Sequence, residues 1–432
     1  MAVDNRFLIE RVRGLQVLDS RGNPTVKAYV YTRGGSTGWA IAPSGASKGG
    51  REAVELRDGG RRWAGKGVKL AVARLNELVG PRLVGVDSRL QSYVDTLLRE
   101  IDGTSTKSRL GGNVTTAVSI ANARAAAMEL GVELFQYLGG PQARLLPIPI
   151  LNVINGGVHA GNELDFQEFL IVPHGAPNFE EALRWSVEIY HTLKKSLKEK
   201  YGSFSINVGD EGGFAPPMKS AEEALQALTE AIESAGFKLG EEVALGIDAA
   251  ASQFYREGVY IVGGRRLSRE DLLSYYERLR GDYPIVYFED PFHEDDVEGF
   301  ASAVEAFREK AIIVGDDFLV TNRALVEERG GKAATGLLVK VNQAGTLTEA
   351  LDAVTAARDR GMAVVVSHRS GDSEDPFIAD LSVAVEALMI KTGAPARSER
   401  TSKYNRLLEI ESLLGPSAAY SGFRLKRLVK HF

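Results

Sequence analysis

The chain has 432 residues, 44% hydrophobic and 25% charged, with a net charge of −5. That balance gives no case for nucleic acid or an anionic membrane as the main partner. Cysteine is absent, which excludes disulfides and thiolate metal sites and points to a reducing, cytoplasmic setting.

The N-terminus has no basic-then-apolar signal pattern, and no window of about 18 apolar residues predicts a membrane span. The length suits two or three domains, or one small domain beside a barrel of about 250 residues or more. In chain order, "FLIERVRGLQVLD", "NPTVKAYVYT" and "TGWAIAP" read as a strand meander that turns at Gly34 and Gly35. A glycine- and serine-rich loop, "PSGASKGG", follows. "GGRRWAGK" has the glycine and lysine spacing of a phosphate-binding loop. Gly67 stands where Ser or Thr should bind magnesium, and no buried strand precedes it, so that reading is rejected. From Lys69 to about Leu138 the pattern is helical, and the small residues of "VTTAVSIANARAAAMEL" suit close packing. An α+β domain therefore ends near Gly139-Gly140-Pro141, which divides the chain into 1–140 and 141–432.

Beyond that point short apolar runs alternate with amphipathic helical stretches, the pattern of a mainly parallel α/β sheet. The runs end at Asp248, Glu289, Asp316, Lys340, His368 and Lys391, at steps of 41, 27, 24, 28 and 23 residues. An inserted hairpin, "FYREGVYIVGGRRL", lengthens the first step. In a (β/α) barrel all such strand ends open on one face, where the active site sits. Taken singly, an acid after a strand also reads as the N-cap of the next helix, and His368 as a satisfied core histidine. Lys340 and Lys391 resist that reading, because lysine is almost never buried without a partner. Six such ends in succession favour a chemical mouth. The tail "RLKRLVKHF" reads as the solvated side of a last element.

Asp248, Glu289 and Asp316 make an all-oxygen ligand set, which suits a hard cation such as Mg²⁺. Glu168 in "DFQEF" and Glu211 in "VGDEGGFAP" add two more acids. Five carboxylates on one cavity repel one another unless Lys340, Lys391, Arg369 and metal compensate. Such a pocket suits a small polyanion.

With these residues stand "LDSRGNPTV", "PSGAS", "ELRDGG", "NGGVHAGN", "QEF", "IDAAAS", "EDPF", "GDD", "KVNQAGT", "SHRSGDSED" and "IKTGAPARSER", in order over nearly the whole length. The chain thereby resembles the enolase family. The resemblance implies an α/β architecture: a small N-terminal α+β domain with a mobile loop, then an enolase-type (β/α)8-like barrel. The first barrel strands would not all alternate with helices, and one would run antiparallel. It implies a lyase that reversibly dehydrates 2-phospho-D-glycerate to phosphoenolpyruvate in glycolysis and gluconeogenesis. Asp248, Glu289 and Asp316 would hold one tightly bound Mg²⁺, and Ser47 a second that arrives with substrate. Lys340 would remove the C2 proton. Glu211, helped by Glu168, would expel the C3 hydroxyl as water. Arg369 and Ser370 would hold phosphate, with His159 and His368 on the phosphate and leaving-group side. Lys391 and Gln167 would contact the substrate carboxylate. Neighbouring Lys391, Arg369 and Mg²⁺ should favour a neutral Lys340; enolase-superfamily sites are themselves a standard illustration of a Lys or His base working with Mg²⁺. The family also forms homodimers, sometimes assembled into rings. Lys27, Lys48 and Val297 depart from the family's usual glutamate, threonine and tryptophan, and none of them removes a catalytic group. The competing readings are another metal-dependent superfamily enzyme acting on a different carboxylate, and a non-catalytic interaction protein on the same scaffold.

Overall fold

The computed structural model describes residues 4–45, 51–157 and 160–430. The expected meander is present as an antiparallel sheet of β1 (Ile9–Leu18), β2 (Pro24–Thr32) and β3 (Thr37–Ile41). One face of it is covered by α1 (Gly112–Leu130), the alanine-rich segment. That helix is buried around most of its circumference, as a helix without a polar face must be. Its approach to the sheet is close enough that a Cβ on Gly38 would lie 2.0 Å from the Ala121 carbonyl oxygen, so only glycine fits there. On the sheet, Lys27 lies 4.2 Å from the Trp39 ring centroid, a cation–π contact that gives this unusual lysine a local role.

The rest of the chain builds a closed eight-stranded barrel. Its strands are β4 (Ile148–Asn155), β5 (Glu168–Val172), β6 (Ala244–Asp248), β7 (Ile285–Glu289), β8 (Ile312–Gly315), β9 (Gly336–Val339), β10 (Ala363–Ser367) and β11 (Met389–Lys391). β5 runs antiparallel to both neighbours, and every other pairing in the barrel is parallel. Among the described residues no α-helix separates β4 from β5, whereas two helices, α2 (Phe179–Tyr201) and α3 (Ala221–Ser234), separate β5 from β6. Every residue of these strands is buried, which is why they read as apolar runs rather than alternating ones. Helix starts are capped by the residues the sequence offers. Asn178 accepts from the Glu181 N–H, Ser220 from Glu223, and Thr346 from Glu349. The hairpin expected after β6 is a three-stranded ribbon, Tyr255–Arg256, Val259–Val262 and Arg265–Leu267. Among the described residues no helix is long and apolar enough to cross a membrane.

The small sheet region is clasped to the mouth of the barrel by the turn after β10. Ser44 and Gly371 exchange backbone hydrogen bonds of 2.7 and 2.9 Å. The Asp375 carboxylate accepts from the Ile41 N–H and from the Arg124 guanidinium. The Asp372 carbonyl accepts from the Ser20 N–H at 2.8 Å. The acidic end of "SHRSGDSED" is thus structural glue between the two halves.

One buried group gives the fold a pH dependence. His174, which follows β5 and is 2% exposed, makes a 3.0 Å Nε2 hydrogen bond with the Gly240 carbonyl. Burial holds its imidazole down at about 4, against an ordinary 6.5. Above pH 6.5 the ring is neutral folded or unfolded, and contributes nothing to linkage. Below it the unfolded chain takes a proton that the folded one refuses, so stability falls as pH drops toward 4. The loss approaches about 3 kcal/mol at 1.36 kcal/mol per unit. His174→Gln, which keeps a donor for Gly240, should flatten the melting temperature between pH 6.5 and 4 relative to wild type. An unchanged slope would remove His174 from the account.

Candidate active site

At the carboxyl ends of the barrel strands one cavity is lined by Gln167, Glu168, Glu211, Asp248, Asp316, Lys340, His368, Arg369, Ser370 and Lys391. Gly45, Asp317 and Ser367 complete its lining. Glu289, at the end of β7, joins the group through Lys391. All the predicted site residues that the structure describes therefore meet at one mouth. Ser47, Lys48 and His159 lie outside the described residues.

Two lysines organise the acids. The Lys391 Nζ lies 2.8 Å from Asp248 Oδ2, 2.8 Å from Glu289 Oε2 and 3.0 Å from Glu168 Oε2. Burial alone would push its pKa down, but the three carboxylates outweigh burial and hold it well above the ordinary value. Lys340, just after β9, pairs closely with Asp316 Oδ2. Burial pulls the Lys340 pKa down too, yet Asp316 and Glu289 leave it raised. Asp316 outweighs the repulsion from Arg369 and Lys391, so a neutral Lys340 depends on the expected Mg²⁺ drawing Asp316 away.

The acids show the opposite strain. Burial, then repulsion from Asp248, pushes Glu289 up to about 8. Burial, then Asp316, pushes Asp317 up to about 7. Glu168 lies well above the ordinary range through burial and its neighbour Glu211. Glu211 Oε2 accepts from Asn152 Nδ2 at 3.0 Å and lies 3.6 Å from His368 Nε2. Gln167 donates to Asp248 Oδ2 at 3.3 Å.

The capping alternative holds in part for one acid. Asp248 Oδ1 accepts from the Ala250 N–H at 3.0 Å, while its Oδ2 faces Lys391. Lys340 stands at the N-cap position of the short helix Val341–Ala344 and makes no side-chain cap there.

A hard cation fits this donor set. Glu289 Oε1 is buried with no hydrogen-bond partner, and the ammonium groups of Lys391 and Lys340 already stand on oxygens of Asp248, Glu289 and Asp316. Among the described residues a different acidic group is the compact one. Asp290, Asp316 and Asp317 have ligand atoms within 4.8 Å of one another. Asp290 is committed elsewhere, since its oxygens accept the Asp316 and Asp317 N–H groups at 2.9 and 2.8 Å. Its job is to shape the turn that aims Asp316.

Sequence reasoning missed the supports. Arg369 is held by Glu52, with Nη1 to Oε2 at 3.0 Å. Gln343 donates to Asp316 Oδ1 at 2.9 Å and to Glu52 Oε1 at 3.2 Å. Arg400 donates to the carbonyls of Arg369, Ser370 and Asp210. A Cβ on Gly393, where φ is +80°, would lie 2.6 Å from the Glu211 carbonyl, so glycine lets the two site loops touch. Gln343 and Arg400 do fall inside distinctive motifs, "KVNQAGT" and "IKTGAPARSER", but nothing in those strings says what they touch.

Comparison with known proteins settles the family. The profile of the enolase N-terminal domain matches residues 9–138, and that of the enolase C-terminal TIM barrel domain matches residues 143–429. The chain belongs to the enolase family. It is 69% identical over 423 residues to the enolase of Aeropyrum pernix, covering 98% of each chain. It is 54% identical over 431 residues to that of Pyrococcus furiosus, covering 99% of this chain and 100% of the relative. It is 53% identical over 421 residues to that of Methanocaldococcus jannaschii, covering 97% and 98%. Enolase-family membership accords with the antiparallel β5, which a plain alternating barrel does not have.

Proposed function

We propose that this enolase-family chain is a hydro-lyase that interconverts 2-phospho-D-glycerate and phosphoenolpyruvate, the glycolytic and gluconeogenic reaction. The observation that carries the reading is one cavity shared by a lysine base, a glutamate acid and an arginine–serine anion clamp. The hydrogen α to a carboxylate is weakly acidic, because its removal adds a second negative charge beside the first. Mg²⁺ held by Asp248, Glu289 and Asp316 would free Lys340 and Lys391 from those oxygens and offset the charge that develops on the substrate carboxylate. Lys340, released from Asp316, takes the C2 proton. Lys391 and Gln167 hold the substrate carboxylate. Arg369 and Ser370 hold phosphate, with His159 on that side. Glu168 and Glu211 act as a pair: burial and repulsion from Glu211 raise Glu168 well above the ordinary carboxylate range, which favours a proton held between the two. That proton goes to the C3 hydroxyl, which leaves as water. Ser47 would serve a second Mg²⁺.

The rest of the proposal is organisational. The chain divides at about residue 140, works in the cytoplasm and assembles as a homodimer or a ring of dimers. The test of function is absorbance of phosphoenolpyruvate formed from 2-phosphoglycerate. Activity should vanish in excess chelator and return with Mg²⁺. Turnover only of a non-phosphorylated acid would favour another superfamily reaction instead, and turnover unaffected by chelator would remove the metal.

A further inference from the structure

Arg400 is the largest fully buried side chain described, with 0% exposure, and it is spent on the active-site loops. Its Nη1 lies 2.6 Å from His368 Nδ1 and 2.7 Å from the Arg369 carbonyl oxygen. Its Nη2 donates to the Ser370 and Asp210 carbonyls at 2.8 and 3.1 Å. A guanidinium has donors only, so the short contact to His368 requires a lone pair on Nδ1. In a neutral imidazole the proton must then sit on Nε2. Nε2 is the atom aimed at Glu211 Oε2, 3.6 Å away.

We propose that Arg400 is a positioning residue that locks His368 in the Nε2–H tautomer, so that the ring offers Glu211 and the departing oxygen a fixed hydrogen-bond donor, stays uncharged and does not relay the proton. The inference rests on the assignment of Glu211 to the acid role. Protonating Nδ1 would set an N–H against the N–H of Arg400 in a site with no exposure to relieve it. The charged groups that face the ring are Glu211, Arg400 and, from its own turn, Asp372. Burial, reinforced by Arg400 and opposed by Glu211 and Asp372, keeps the imidazole down at about 4. The other three contacts of Arg400 fix the backbone on both sides: Arg369 and Ser370 on the phosphate side, Asp210 beside the acid. One side chain therefore couples the orientation of the donor to the placement of the anion clamp.

The lock has a chemical signature. A ring fixed as acceptor at Nδ1 and donor at Nε2 offers the same pair of functions as a carboxamide. His368→Gln should therefore stay within about tenfold of wild-type kcat, the scale of one imperfect hydrogen bond, while His368→Leu falls by about 100-fold or more. A proton carrier would make Gln as poor as Leu, and that result would overturn the proposal.

The direct test is ¹⁵N NMR of the whole protein labelled at histidine. Of its six histidines, the His368 signal is assigned by its loss in His368→Gln. It should show the Nε2–H tautomer from pH 6 to 8 with no titration. An Nδ1–H ring, or an imidazolium forming near pH 6.5, would refute the lock. Arg400→Met should release the ring to exchange tautomers, and a locked spectrum in that variant would deny Arg400 its role. If Arg400→Met does not fold, the wild-type spectrum and the Gln–Leu pair still decide. The spectrum needs no turnover, so a chain without activity on 2-phosphoglycerate would fail the functional reading and leave this test intact.

Discussion

Lys340→Ala is expected to lower kcat by at least about a thousandfold, or about 4 kcal/mol of barrier. The ammonium stands partly exposed at the mouth and paired with Asp316, and no other described lysine except Lys391 lines the cavity. Lys391 cannot stand in, because Glu168, 3.0 Å away and not among the proposed metal ligands, still pairs with it when Asp248 and Glu289 turn to Mg²⁺. The same variant should bind Mg²⁺ at least as tightly as wild type, measured calorimetrically without substrate, since an ammonium no longer competes for Asp316. Loss of turnover with unweakened metal binding separates a base from a structural group. A kcat within tenfold of wild type would place the base elsewhere.

Lys391→Met should produce the largest loss of stability. It removes the cation that pairs with Asp248, Glu289 and Glu168 together and leaves their charges buried side by side. Breaking a buried ion pair from one side costs about 3–5 kcal/mol. The pKa directions fix how the loss varies with pH. Glu289 and Glu168 already sit above their ordinary values, mainly through burial, so the folded state holds protons that the unfolded state has released. Their unfavourable contribution grows as pH rises through the carboxylate range toward the raised folded values. Without Lys391 those values rise further. The gap in melting temperature from wild type, measured in chelator, should widen from pH 5 to pH 8 and narrow when Mg²⁺ is added. An equal gap at both pH values, or no effect of Mg²⁺, would mean that the acids do not share charge through Lys391.

The strand ends explain how much of this was legible beforehand. An apolar run that stops at an acid, a lysine or a histidine six times in succession is a one-dimensional trace of a barrel mouth. Asp248, Glu289, Asp316, Lys340, His368 and Lys391 could therefore be placed on one face without coordinates. The direction of β5 could not. "EFLIV" is buried on both sides whichever way it runs, and the pattern of burial carries no sign of orientation. Only the family resemblance supplied it. Glu52 was invisible for another reason. Its partner Arg369 is 317 positions away, and the loop that carries Glu52 has no periodicity to read. Asn152 was hidden inside the apolar run of β4, where a polar residue reads as an interruption until Glu211 is seen beside it. The Lys340–Asp316 pair was hidden as well, because the sequence shows which cations are nearby but not which acid Lys340 meets.

The central claim is that base and acid act as separate groups on the two ends of one bond-breaking sequence. Exchange of the C2 hydrogen of 2-phosphoglycerate with D₂O tests it most directly, because exchange needs the base and not the departure of the C3 hydroxyl. Glu211→Gln should lose phosphoenolpyruvate formation by about two to four orders of magnitude and still exchange the C2 hydrogen, whereas Lys340→Ala should lose both. Equal loss of exchange in the two variants would contradict the division of labour, and exchange that survives only in Lys340→Ala would reverse it.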